Sequence, residues 1–184
     1  GLTQGAHATY YYFSELHWSQ LGYGSDLIGV LWTLGVLAEI VVLYTGRRMI
    51  RRFGPVFLIG LGALGAVIRW PLTGLSPPLG VLVFLQMLHA LTFATTYLGS
   101  VEFISRAVPN SLANTRMTLV STLGVGALTG VGAILVGQVF SAEAPFAGYL
   151  LMGLMGLGGF IASLALARHW DGGLIRSAQP PTTS

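Results

Sequence analysis

Three ionisable residues lie within three separate apolar stretches: Glu39 and His89 well inside residues 26–45 and 79–101, and Arg69 toward the external end of 55–70. A charge at such depth in a bilayer is costly unless it is paired, hydrated or neutralised, so these residues mark a proton- or substrate-handling site. Glu39 is about 13 residues into its stretch, roughly 20 Å from the start at ~1.5 Å per residue. It reads as a carboxyl that titrates or coordinates substrate in a central cavity, as a structural acid bonded to a neighbouring helix, or as one near enough to the inner surface to be solvated. Arg69 lies roughly 21 Å along its own stretch from Pro55. It suits an anionic substrate; the competing roles are snorkelling beside Trp70 or pairing with Glu15, a better match in depth than Glu39.

Gln86 and His89 are spaced i,i+3, and Thr92, Thr96 and Ser100 continue along nearly the same helical face. Such a polar stripe either lines a cavity, with His89 able to titrate near neutral pH, or supplies hydrogen bonds between helices. A further cluster, Gln4, His7, Tyr10, Tyr11, Tyr12 and Phe13, offers ring faces and hydroxyls suited to an aromatic or sugar substrate. Gln4, His7 and Tyr11 share a helical face, whereas three consecutive tyrosines must spread around the helix and leave one toward lipid.

Other chemistries find no support. There is no cysteine, and no zincin, nucleophile-elbow or P-loop spacing, so neither an enzyme nor a bound metal or cofactor is expected. The four histidines, at 7, 17, 89 and 169, are too scattered in the sequence to argue a site. Gly60-Leu-Gly-Ala-Leu-Gly65 matches a dinucleotide fingerprint on paper, but it lies inside an apolar helix with no preceding strand. With Gly126–Gly130 and the Gly153–Gly159 run it reads as small-residue helix packing.

The elements that must position these residues follow from composition. Of 184 residues, 53% are hydrophobic and only 8% charged, with mean hydropathy +0.73. A soluble domain carries about a quarter charged residues, so the chain is an integral membrane protein. Six spans are expected: 2–18, 26–45, 55–70, 79–101 with an extension to the residue before Pro109, 112 or 117 to 140, and 146–167. The first is expected to be truncated at its amino end. Ser25 is the expected N-cap of the second, and Pro71–Pro78 forms an external turn. Residues 1–170 then make one all-α six-helix unit, and 171–184 a disordered tail.

All nine basic residues are arginine. Arg47, Arg48, Arg51, Arg52, Arg106, Arg116, Arg168 and Arg176 fall on one side of the six-span topology and only Arg69 toward the other, which places both ends in the cytoplasm. The net charge of +3 is therefore topological, and no nucleic acid is implied. Absence of lysine beside abundant Gly, Ala and Arg points to a GC-rich bacterium, hence to a bacterial inner membrane. Membrane lipids are one partner; the arginine turn has the composition of a lipid-headgroup patch, but topology and gating explain it sufficiently.

The order of features resembles the carboxyl-terminal half of a major facilitator superfamily transporter, in the branch of phenylpropionate permeases and, more distantly, lactose permease. The resemblance rests on His7-Ala-Thr-Tyr-Tyr-Tyr-Phe, Ile28-Gly-Val-Leu-Trp32 with Glu39-Ile, Gly46…Arg52-Phe-Gly-Pro55, Ile68-Arg-Trp70 and Leu88-His-Ala-Leu-Thr-Phe93. It implies one half of a twelve-helix fold, with an amino-terminal six-helix half as partner and a small-molecule substrate held between the halves. Gly46, Arg47, Arg48, Arg51, Arg52 and Gly54 would form the cytoplasmic gating turn, though the acid that usually precedes its last arginine is replaced by Arg51. A Glu, an Arg and a His on successive helices are similar to the coupling set of the family's sugar–proton symporters. The second acid those proteins place one turn after the histidine is here Thr92, which leaves Glu39 as the proton carrier. The expected function is alternating-access transport of an aromatic acid or a sugar, proton-coupled through Glu39. The alternative is a stand-alone six-helix membrane scaffold without transport.

Overall fold

The computed structural model describes residues 1–175, and these contain helices and connecting turns without a strand. The first span is two pieces, α1 (Leu2–Gly5) and α2 (Ala8–Gln20), followed by α3 (Ser25–Phe53) and α4 (Pro55–Gly74). The fourth consists of α5 (Leu79–Met87), a π-helical segment Leu91–Thr95 and α6 (Thr96–Ala107). The fifth runs from a 3-10 turn Asn110–Leu112 through α7 (Ala113–Leu119) and a π-helical segment Val120–Ala127 to α8 (Leu128–Val139), and α9 (Phe146–His169) is the sixth. Five of these runs are long and apolar enough to cross a membrane, and the shorter, interrupted first one precedes them. The protein is an all-α membrane protein.

Proline and glycine set most of the boundaries. Gly54, at φ 78°, ends α3 in a backbone conformation that a side chain would strain, and Pro55 opens α4 at a position where its missing N–H costs nothing. Val108 is extended before Pro109, which stops α6 there as the sequence predicts.

Several boundaries differ from expectation. The arginine segment is not a turn: residues 46–53 form the last two turns of α3, and the reversal is confined to Gly54. Long-chain arginines are good helix formers and favour a helix carboxyl terminus, so nothing in 47–52 breaks the helix. Gly24, not Ser25, takes the cap position. Pro71 lies inside α4, which continues to Gly74 and leaves only residues 75–78 as the loop. A proline one turn from a helix end removes a single hydrogen bond, and here its ring also packs against Gly153 of α9.

The first span breaks at Ala6 and His7, where the His7 N–H bonds the Gln4 carbonyl three residues back. Beyond α9, residues 171–175 are held: Trp170 packs edge-on against Phe103, the Ile175 N–H bonds the Ala107 carbonyl, and the Gly173 N–H bonds the Asp171 side chain. The rest of the expected disordered tail, 176–184 with Arg176, lies outside the described residues.

α4 is the central helix. It packs along α9 on one side and along the π segment and α6 on another. Small residues permit this approach: a Cβ on Gly156 would lie 2.9 Å from the Ala66 methyl, and one on Gly62 would lie 3.0 Å from the Leu91 carbonyl. The glycines that mimicked a dinucleotide fingerprint are therefore helix contacts. By contrast α3 exposes Val36, Leu37, Ile40, Val41 and Tyr44, an apolar face that bilayer or another helix must cover.

Candidate functional site

Helix breaks position the polar residues. His89 occupies the short connection between α5 and the π segment, and Thr92 lies within that segment, whose wider turn shifts side chains out of α-helical register. His7 occupies the break in the first span, where its Nδ1 lies 3.0 Å from the Thr3 carbonyl and 3.2 Å from that of Gln4. Carbonyls only accept, so His7 carries a proton on Nδ1 and its side chain caps the end of α1.

Arg69, near the end of α4, is fully buried. Its Nη1 lies 2.8 Å from His89 Nδ1 and donates to Thr92 Oγ1 at 3.2 Å, and its Nη2 donates to Gln86 Oε1 at 3.4 Å. A guanidinium has no acceptor, so His89 Nδ1 must accept, and the imidazole proton resides on Nε2. That Nε2 is 2.7 Å from Glu39 Oε1. The network thus has one direction: Arg69 donates to a neutral His89, and His89 donates to the Glu39 carboxylate. Cation and anion compensate each other through the imidazole.

Aromatic rings enclose the cation. The guanidinium carbon lies 4.2 Å from the Trp70 ring centroid and 4.9 Å from that of Tyr10, and Tyr10 stacks on Trp32 at 4.3 Å. Ring faces are electron-rich and hold a desolvated cation favourably. His7 completes the wall, edge-on to His89 at 5.2 Å and stacked with Tyr11 at 5.7 Å, while its Nε2 lies 3.1 Å from Thr92 Oγ1. Gln4 donates to the Phe93 carbonyl in the π segment. Besides the Tyr10 hydroxyl, three buried N–H donors in this region, Arg69 Nε, Trp70 Nε1 and Gln86 Nε2, have no hydrogen-bond partner among the described residues. An unmet buried donor is expensive, and three of them favour an incoming acceptor.

All eight expected site residues, Gln4, His7, Tyr11, Glu39, Arg69, Gln86, His89 and Thr92, therefore belong to one connected group. Several details are corrected. Glu15 is exposed while Arg69 is buried, so they are not partners, and depth along separate helices was a poor guide. Trp70 is buried against Arg69 rather than in an interface belt. His7 and His89 meet although 82 positions separate them in the sequence. Thr96 and Ser100 spend their hydroxyls on carbonyls one turn back in their own helix.

Tyr10 belongs to the ring cluster that the sequence offers, whereas Trp32 and Trp70 carry no site reading there. Their only sequence signal is that each neighbours or faces a marked residue, and aromatics at helical spacing are common in membrane helices. Arg47, Arg48, Arg51 and Arg52 are exposed at the end of α3 and take no part in this group.

The sequence profile described as the MFS_1 like family matches residues 1–151. The chain belongs to the MFS_1 like family. A stretch of 104 residues is 36% identical to a protein named "Probable 3-phenylpropionic acid transporter" from Escherichia coli (strain K12), covering 56% of this chain and 27% of that protein. Over 157 residues the chain is 25% identical to "Uncharacterized transporter YwbF" from Bacillus subtilis (strain 168), covering 85% of this chain and 39% of that protein. It thus spans well under half the length of these curated relatives. No solved structure matches it significantly. The expected likeness to the major facilitator superfamily is thereby shown, and the buried group can be weighed as part of an MFS_1 like protein.

Proposed function

We propose that this chain is the carboxyl-terminal half of a secondary transporter that moves a small aromatic carboxylate by alternating access, coupled to a proton. In this reading an amino-terminal six-helix half of the same polypeptide closes the site, and the arginine-bearing helix ends lie in the cytoplasm of a bacterial inner membrane. The supporting observation is the buried Arg69, whose charge is balanced only through His89 by Glu39 and whose surroundings combine aromatic faces with unmet donors. A ring and a carboxylate match that combination better than a sugar, which would call for more neutral hydrogen-bonding partners. The name of the Escherichia coli relative supports the same substrate class.

The geometry suggests how coupling works. While Glu39 is ionised it serves as counter-charge to Arg69, and an incoming carboxylate must compete with it. Protonating Glu39 removes that counter-charge, leaves a buried cation uncompensated, and makes the substrate anion its replacement. Proton and anion then enter together, and departure of both restores the Arg69–His89–Glu39 arrangement.

Uptake of 3-phenylpropionate into proteoliposomes containing the full-length polypeptide tests this reading. Uptake driven by an inward proton gradient and abolished in Arg69→Gln is expected. Unaltered uptake in that variant, or no transport of any aromatic acid, removes the proposed role of the site.

A further inference from the structure

Outside the buried group, a second feature combines charge with an apolar cavity. Along the outer surface between α4 and α9 runs a groove of about 410 Å³. Its floor is Gly60 and Ser163, and its ridges include Phe57, Leu64, Phe160 and Leu164. The groove exists because both floor residues are small: a Cβ on Gly60 would lie 2.9 Å from Ser163 Oγ. The Ser163 hydroxyl is turned to the Phe160 carbonyl at 2.7 Å, so the floor offers no free polar group. From Val56 to Leu64 the groove follows α4 for about 12 Å at ~1.5 Å per residue.

At the arginine-bearing end the groove shares Val56, Phe57 and Ala167 with a second opening of about 280 Å³, which Phe53, Trp170 and Asp171 also line. Arg52 lies over the Phe53 ring at 5.3 Å, and Phe53 stacks on Phe57 at 5.2 Å, so a cation, two rings and the groove are continuous. Arg51 adjoins Arg52, and Arg168 adjoins Ala167. Among the described residues neither these three nor Arg47 and Arg48 have a carboxylate within 4.0 Å; the ion pairs are His89–Glu39 and Arg106–Glu102. Arg47 with Arg51, and Arg48 with Arg52, stand one turn apart as like-charge pairs that repel until an anion joins them. Asp171 is the acid at this mouth, and one of its oxygens is engaged by the Gly173 N–H at 3.0 Å.

We infer that the α4–α9 groove with Arg51, Arg52 and Arg168 binds an anionic phospholipid, its acyl chain in the groove and its phosphate among the arginines. Any bilayer lipid can lay a chain along an apolar groove, but only an anionic headgroup offsets three unpaired guanidinium groups. Trp170, which lines the mouth with Phe53, fits the headgroup level, where amphipathic rings concentrate. The site does not depend on the transport reading.

Native mass spectrometry of the purified full-length polypeptide, loaded with an equimolar mixture of phosphatidylglycerol, phosphatidylethanolamine and phosphatidylcholine, tests it. Retention of phosphatidylglycerol over phosphatidylcholine by roughly tenfold is expected, falling to parity in Arg51→Gln/Arg52→Gln/Arg168→Gln. Ala167→Phe, an exposed position in the neck of the groove, should lower retention of all three lipids. No preference in the unmodified protein, or an undiminished preference in the triple arginine variant, overturns the site. So does a dimer that excludes lipid and that Ala167→Phe dissociates, because the groove would then hold a second copy of the chain.

Discussion

His7 and His17 are ten residues apart on the same broken span, both buried, yet their surroundings differ in kind. At the His17 end Nε2 lies 2.9 Å from the Ser76 hydroxyl and Nδ1 3.3 Å from that of Tyr149. Hydroxyls both donate and accept, so either neutral tautomer fits, and the imidazole simply fastens loop 75–78 to α9. At the His7 end the next imidazole, His89, lies between a group that can only donate and one that can only accept when ionised. Its tautomer is dictated, and a formal charge stands on each side. The first arrangement closes a fold; the second stores an electrostatic imbalance that changes whenever one proton moves.

The largest effect that can sharpen this contrast comes from Arg69. Arg69→Met leaves the partly buried Glu39 without its counter-charge and should cost about 2–3 kcal/mol of stability, together with transport. Adding Glu39→Gln to Arg69→Met should recover most of that stability without restoring transport. Denaturation midpoints of the two variants decide it, and a double variant no more stable than the single one would show that the two charges are not coupled.

Glu39→Gln alone keeps a hydrogen-bonding partner for His89 but cannot ionise. Concentrative, proton-driven uptake should fall to background while exchange of internal for external substrate persists. Loss of both would make Glu39 structural.

Gln86→Leu removes a donor that has no partner, Nε2, along with the weak 3.4 Å acceptor contact to Arg69. Substrate affinity should drop by about 1–2 kcal/mol, roughly 5- to 30-fold, with little change in thermal stability. A stability loss with unchanged affinity would mean that this amide serves packing.

At the other end Tyr149→Phe removes one neutral partner of His17 and should cost only about 1 kcal/mol, read as a lower melting temperature at unchanged substrate affinity. Altered affinity there would erase the distinction between the two histidine environments.

How much of this was legible in the sequence depends on the kind of signal. Hydropathy gave the helices, because a 20-residue apolar run has few alternatives in a membrane. It also flagged Glu39, Arg69 and His89, because ionisable residues at depth are rare. Their connection was not legible. Whether Arg69 meets Glu15 or His89 depends on helix rotation and on the interruptions at residues 6–7 and 88–90, which no propensity announces. The continuation of α3 through its arginines runs against the expected turn because a run of charge marks a membrane boundary, while arginine itself favours helix. The aromatic enclosure is only partly legible: Tyr10 is one ring in a marked cluster, but Trp32 and Trp70 look like ordinary membrane aromatics until the fold sets Trp70 against the guanidinium and Trp32 against Tyr10.

The most direct test of the central claim is the affinity of the full-length protein for an aromatic carboxylate, measured against pH over a range in which that acid stays ionised. The unmodified protein should bind more tightly as pH falls, because protonation of Glu39 frees Arg69, and Glu39→Gln should bind tightly with no pH dependence. A flat profile in the unmodified protein, or an unchanged pH profile in Glu39→Gln, would contradict the competition between Glu39 and substrate for Arg69.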